Sequence, residues 1–533
     1  MHVSRCRTDP TMLRTFFNRS ERVWCFILLL FSSAAHAYSM LVTGAKYWID
    51  SIAYFQLGMA LFDVDQLSQL YSSQFGFLYQ HFTPGLPLLI RTLESIFQER
   101  LWPALAILQG AFSASAITYF ILAFKNKLSR PAQLIVVILC GLHPYFASFH
   151  NAAMTESVSA SILLVSLGVA VRSLDGRLSL RRSLLVLLLL SILAAQFRPY
   201  LGVVGGLLAA LIVYWRGKPW RLPLYAVTAL ALAAGILAFP LYRAALGLGF
   251  FLPNTSALLL THTSYVAWDL DQDTAHALDD VVLSAEIRTR LIGDKPINYD
   301  DAKRIFDDLI GAGLSPDQAK QKIASAAWRV RTSSMWVMER QLQLPLASIG
   351  FQIAPMCCQP NRQLTRELTG SAMFNHIRHY FHWNSGVDGG SYTEVFDRFS
   401  EMTRASHIFS DVADNFYVSR IRPYVTDSLK SLRDPLRLTL LVSDPLIIVS
   451  WLGLLLCFRR GQRIGLLALA VPFAVIYVAA FYAHIFGDNR HAHPLIPIVV
   501  VGFVKVADEF LANGWWRLRG LLRALKNPSA NAS

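Results

Sequence analysis

The chain has 533 residues, of which 54% are hydrophobic and 16% charged, and its mean hydropathy is +0.39. A water-soluble globule of this length rarely has that balance, so the composition points to an integral membrane protein. A net charge of +14 suits a nucleic-acid binder only if the basic residues form one patch. Here they recur at alternate boundaries of apolar runs, and no nucleic acid is expected as a partner.

The first apolar run, 23–42, follows Arg5, Arg7, Arg14, Arg19 and Arg22. Its "SSAAHA" looks like a signal-peptide cleavage site, but its length and the runs that follow predict an uncleaved anchor. Further runs lie near 104–124, 131–148, 157–171, 183–197, 199–215, 222–246, 436–458, 464–486 and 494–512. Each approaches the roughly 20 residues needed to cross a hydrocarbon core, which predicts an all-α polytopic protein with about ten transmembrane helices. The connections "KNKLSR", "RSLDGRLSLRR", "RGKPWR" and "FRRGQR" and the tail "WWRLRGLLRALK" fall at every second boundary. If the N-terminus is cytoplasmic, all of them are too, as the positive-inside rule requires, and both termini are cytoplasmic.

Three regions follow: a membrane bundle over 1–249 with an extracytoplasmic first loop, a small helical extracytoplasmic domain over 250–435, and C-terminal spans with a basic cytoplasmic tail over 436–533. The middle region is polar and helix-patterned. In its "SPDQAKQ", Ser315 is the expected N-cap with Pro316 in the first turn.

Several chemistries find no support in the sequence. Cys25, Cys140 and Cys457 lie in apolar runs, Cys6 in the N-terminal tail, and the adjacent Cys357 and Cys358 would form a strained disulfide, so two thiols are the plainer reading. No zinc spacing and no phosphate-binding Walker loop is present. The D-x-D formed by Asp269 and Asp271 lies in a segment without alternating strands and helices and reads as a solvated acidic helix start.

The polar residues of the complementary connections are more informative. Asp50 follows the first run; "YQHFTPGLPLLIRTLESIF" contains His81 and two prolines before a short apolar segment. "HPYFASFHNAAMTES" places Glu156 at a span start, "QFRPYLGVVGG" puts Arg198 between two spans, and "FGDNRHAHPLIP" brings Asp488, Arg490, His491 and His493 before the last. Ionisable groups at membrane depth are costly and mark polar cavities, although a single arginine can also snorkel to headgroups.

The order of these motifs resembles the GT-C superfamily of integral membrane glycosyltransferases. The resemblance rests on an acidic residue after the first span, "HFTPGLPLL", "MTES", "RP" and "DNRHAHPLIP", and covers roughly 20–250 and 436–512. The superfamily includes protein O-mannosyltransferases, lipid A aminoarabinose transferases and rhizobial lipopolysaccharide galacturonosyltransferases. Many relatives have two adjacent acidic residues in the first loop, whereas Asp50 is followed by Ser51; no metal or other cofactor is assigned.

The resemblance implies transfer of a sugar from a polyprenyl-phosphate donor to an acceptor hydroxyl of a glycolipid, polysaccharide or protein on the extracytoplasmic face, with inversion. It also implies residence in a bacterial inner (plasma) membrane. Asp50 is then the candidate general base, since a carboxylate in a low-dielectric site is a better proton acceptor. Arg198 and Arg490 are candidates for the donor phosphate, because a fixed guanidinium holds two oxygens at once. His81, Glu156, Asp488, His491 and His493 are supporting or substrate-binding candidates. A polytopic transporter or flippase of a lipid-linked or polar substrate is the alternative, distinguished by movement of substrate without covalent change.

Overall fold

A computed structural model describes residues 19–43, 49–72, 79, 82–143, 146, 149–217, 221–250, 278–292, 299–333, 335, 338, 342, 443–458, 463–483 and 493–526. Among these, every regular element is helical. The helices are α1 (Arg19–Thr43), α2 (Ile49–Ala60), α3 (Val64–Ser72), α4 (Gly85–Phe97), α5 (Leu101–Ala123), α6 (Arg130–Leu142), α7 (Thr155–Leu174), α8 (Leu180–Phe197), α9 (Pro199–Arg216) and α10 (Arg221–Ala245). They continue with α11 (Ala285–Ile292), α12 (Tyr299–Gly311), α13 (Pro316–Arg331), α14 (Ser443–Cys457), α15 (Arg463–Ala483) and α16 (Ile496–Lys526).

Among the described residues, five helices are long and apolar enough to cross a membrane: α5 from Pro103 onward, α7, α8, α9 and α10. Helix α6 and the part of α15 from Ile464 to Ala479 are apolar but shorter. Of the run expected over 131–148, α6 ends at Leu142, where His143 adopts an extended backbone, and most of 144–148 lies outside the described residues. Proline follows His143 in the sequence, and a residue before proline is pushed out of the helical region. The run expected over 436–458 is described only from Ser443.

Helix α7 is the centre of the bundle and packs against α5, α8, α9 and α15. Its small side chains make this possible. Buried Ser159, Ser161 and Ser166 donate their hydroxyls to the carbonyls of Thr155, Ser157 and Ile162 one turn back, so no polar atom has to be solvated. At Gly168 a Cβ would sit 2.8 Å from the Tyr119 ring, which shows how closely α5 approaches. Helices α8 and α9 form a tight hairpin by the same means, with the Ser191 hydroxyl donating to the Gly202 carbonyl at 2.6 Å.

The bundle has two chemically distinct ends. At one, Lys125 pairs with Glu21 at 2.7 Å, Asp175 accepts from both Arg177 and Lys127, and the Ser129 hydroxyl donates to Asp508 at 2.6 Å. Two of the basic connections, "KNKLSR" and "RSLDGRLSLRR", therefore meet at this end. At the other end lie Thr155 and Glu156, separated from Leu174 by the length of α7, about 30 Å.

Residues 278–331 have a hydrophobic core of their own, built from Leu278, Val281, Ile287, Ile305, Ile323 and Val330 among others. As expected from the sequence, Ser315 caps α13: its hydroxyl accepts from the Gln318 N–H while the Gln318 side chain accepts from the Ser315 N–H. Most of the remaining residues between 250 and 435 fall outside the described residues.

Candidate functional site

The α8–α9 corner sets the site. Arg198 stands between the last residue of α8 and the proline that opens α9, with φ −149° and ψ 109°. Proline at the first helical position loses no hydrogen bond and confines its predecessor to this extended conformation. The corner therefore turns the Arg198 side chain away from both helix axes and onto the start of α7. There its Nε donates to Thr155 Oγ1 at 2.9 Å, one terminal nitrogen donates to the Tyr200 hydroxyl at 2.6 Å, and the other donates to Glu156 Oε1. The Glu156 side chain is fully buried and that of Arg198 is 11% exposed. Glu156 also occupies the first turn of α7, where the helix dipole favours a negative charge.

The first loop reaches this corner through its "FTPG". Thr83 Oγ1 donates to the carbonyl of Phe197, the residue before Arg198, at 2.9 Å. A Cβ on Gly85 would lie 2.5 Å from the Gln196 carbonyl oxygen, so glycine is required for the close approach of α4. Phe82 packs on Tyr54 with ring centroids 4.4 Å apart. Tyr54 is one turn beyond Asp50 on α2, and α2 in turn meets α4 where Gly58 faces the Pro87 carbonyl.

Beside the ion pair runs a chain of buried histidines and serines with a single direction. The Ser157 hydroxyl lies 2.7 Å from His150 Nδ1, His150 Nε2 lies 3.2 Å from Ser113 Oγ, and Ser113 Oγ lies 3.1 Å from His36 Nε2. His36 Nδ1 ends the chain at the Ser32 carbonyl, 2.7 Å away. A carbonyl can only accept, so His36 Nδ1 carries the proton, and the assignment propagates: Ser113 donates to His36, His150 to Ser113 and Ser157 to His150.

His493 closes the group. Its ring stacks on Phe146 at 4.5 Å and meets His150 at 6.1 Å, and its Nε2 donates to the Phe146 carbonyl at 2.9 Å. Burial pushes His493 down to about 3, with the Arg198 charge adding to the effect and the Phe146 bond opposing it. Burial, then the neighbouring His36 and His493, push His150 well below its ordinary value.

The structure thus brings Glu156, Arg198 and His493 to one end of the bundle. Asp50 lies in the first turn of α2, while its side chain, and all of His81, Asp488, Arg490 and His491, lie outside the described residues. Sequence reasoning missed Thr155, Tyr200, His150, Ser157, Ser113 and His36. His36 carried a usable signal, an ionisable group inside an apolar run, but it sat in the "SSAAHA" that resembles a cleavage site. Fully buried Arg243, held against Phe239 at 4.7 Å near the end of α10, is a further cation that was passed over.

Chemically, the site offers a fixed guanidinium and neutral imidazoles in a water-poor setting, an arrangement suited to anionic groups and to proton-coupled steps. In comparisons with known proteins, the chain matches no family model, no curated protein and no solved structure.

Proposed function

We propose that the protein is a membrane glycosyltransferase that moves a sugar from a polyprenyl-phosphate donor to an acceptor hydroxyl on the extracytoplasmic face, with inversion at the anomeric carbon. The observation that carries this reading is the placement of Arg198. Its guanidinium is fixed by Glu156, Thr155 and Tyr200 at the start of α7, and the "FTPG" of the first loop is bonded to the residue before it. Parts of three of the motifs, "FTPG", "TE" and "RP", thereby meet at one end of an apolar helical bundle.

In this reading the basic end of the bundle is cytoplasmic and the Arg198 end faces outward, with the region from 250 to 435 on that same outer side of a chain with about ten spans. The donor tail lies among the helices and its phosphate meets Arg198 and Arg490. A guanidinium held in advance needs little reorganisation as negative charge builds on the departing phosphate. Asp50, in the first turn of α2, takes the proton from the acceptor hydroxyl as the oxygen attacks, and polyprenyl phosphate leaves. Glu156 acts through Arg198 as a positioning residue.

The test is transfer itself. Purified protein in lipid, supplied with radiolabelled polyprenyl-phosphate sugar and an extract of envelope glycolipids and proteins, should pass label to an acceptor. Movement of the intact donor across the bilayer with no labelled product would overturn the enzymatic reading in favour of a flippase.

A further inference from the structure

The opposite end of the bundle contains a cavity of about 370 Å³ lined by Asn126, Lys127, Asp175, Arg177, Cys457, Lys505 and Glu509, together with Leu456. It forms where the α5–α6 and α7–α8 connections meet the end of α14 and the middle of α16. Three of the lining residues are cations and two are carboxylates. Asp508, beside the cavity, is engaged by the N–H and hydroxyl of Ser129.

The cations are held in place by the protein. Lys127 is only 6% exposed, lies 3.4 Å from Asp175 and sits over the Phe458 ring at 4.4 Å. Lys505 donates to the Lys127 carbonyl at 2.6 Å and to Glu509 at 2.8 Å. Arg177 donates to Asp175 at 2.8 Å and to the Leu122 and Ala123 carbonyls, while its buried Nε has no hydrogen-bond partner among the described residues. A buried guanidinium donor left without a partner is costly unless an acceptor, such as a phosphate oxygen, completes it. The cavity also adjoins the α5–α6 and α7–α8 connections, the depth at which a bilayer presents phosphate, and basic pockets between helices bind anionic headgroups.

We propose that this cavity is a phosphate-binding site, taking the headgroup phosphate of an anionic membrane lipid or a free phosphate. It is at the opposite end of α7 from Arg198, and the inference stands whether or not the chain transfers sugars.

Thermal unfolding of the full chain in detergent tests it, with phosphatidylglycerol, phosphatidylcholine and inorganic phosphate as probes. Saturable stabilisation by phosphatidylglycerol beyond that of phosphatidylcholine assigns a lipid headgroup; stabilisation by inorganic phosphate alone assigns the free ion. In either case Lys127→Gln, which removes one cation from the lining and leaves Asp175 paired with Arg177, should weaken the apparent affinity about five-fold, the effect of one basic side chain near a headgroup. Lys125→Gln, whose partner Glu21 lies outside the cavity lining, should leave it unchanged. Equal responses to both phospholipids with none to phosphate overturn the proposal even if a variant fails to fold, and so does an unaltered affinity in a folded Lys127→Gln protein.

Discussion

Glu156 and Arg198, 42 residues apart in the chain, form a buried ion pair that joins the start of α7 to the α8–α9 corner. Removing one partner strands a buried charge, so Glu156→Ala should cost about 3–5 kcal/mol of stability. Replacing both partners by apolar residues is often near neutral, and Glu156→Leu with Arg198→Met should unfold within about 1 kcal/mol of the wild type. In the proposed mechanism the double variant is stable yet inactive. Wild-type transfer by that folded double variant would remove Arg198 from donor binding.

Gly85 allows the first loop to reach the same corner. An alanine there must displace either the Gln196 carbonyl or the Phe197 ring, which a Cβ would approach to 2.5 and 2.9 Å. Gly85→Ala should cost about 1–3 kcal/mol, the usual penalty for overpacking. Transfer should fall further than stability alone explains, because the Thr83 bond to Phe197 that ties the loop to Arg198 shifts with it. A drop in unfolding midpoint with unchanged turnover of the folded fraction would confine the glycine to packing.

How far the sequence could be read depends on the kind of signal. Apolar periodicity located α7, α8, α9 and α10 closely because each is a single long run whose ends are marked by charge or proline. The run after Arg130 was harder to divide, because its apolar residues continue in the sequence past His143, where the backbone leaves the helix. Glu156, Arg198 and His493 were legible because an ionisable group at a span boundary is costly and therefore informative. Which of them pair was not legible, since the Glu156–Arg198 contact depends on how two helix starts face each other. The serines were harder still: Ser113 and Ser157 are ordinary small residues on apolar helices, and only the fold shows that His150 lies between them.

Acid should loosen the histidine group at the Arg198 end of the bundle. Burial places the folded-state value of His493 at about 3, below its ordinary 6.5, and lowers His150 in the same direction. Between those limits the unfolded chain binds more protons than the folded one, so stability is fully present above about pH 6.5 and is lost as pH falls. Each such histidine contributes a slope of about 1.4 kcal/mol per pH unit across that window. Unfolding midpoints followed from pH 8 to pH 4 should fall less steeply for His493→Gln than for the wild type. Parallel curves would show that His493 does not titrate on unfolding.

Asp50→Asn separates chemistry from folding at the other proposed participant. The substitution preserves shape and removes the basic oxygen, so a correctly inserted protein should lose about 10²- to 10⁴-fold in turnover, the usual contribution of a general base. Donor affinity should change little, because the proposed phosphate contacts are made by arginines. Turnover close to wild type would leave Asp50 as a carboxylate that merely stabilises the first turn of α2.

Arg490 tests whether the phosphate has a second clamp. If Arg490 pairs with the donor phosphate, lysine keeps the charge but loses the planar two-point contact, so Arg490→Lys should weaken donor use. If it only reaches for headgroups, lysine serves equally well, because both side chains extend a cation on a long apolar stem. The proposed mechanism therefore expects both Arg490→Lys and Arg490→Ala to raise the donor concentration needed for half-maximal transfer. Alanine should be the more damaging, by about 2–5 kcal/mol, as for loss of one partner of a desolvated charge pair. Asp488 lies two residues away, and Asp488→Asn should give a milder form of the same defect if it orients the guanidinium. Transfer measured against donor concentration in detergent-solubilised protein distinguishes the cases. A wild-type dependence for Arg490→Lys would leave Arg198, already fixed by Glu156, as the remaining candidate for the donor phosphate.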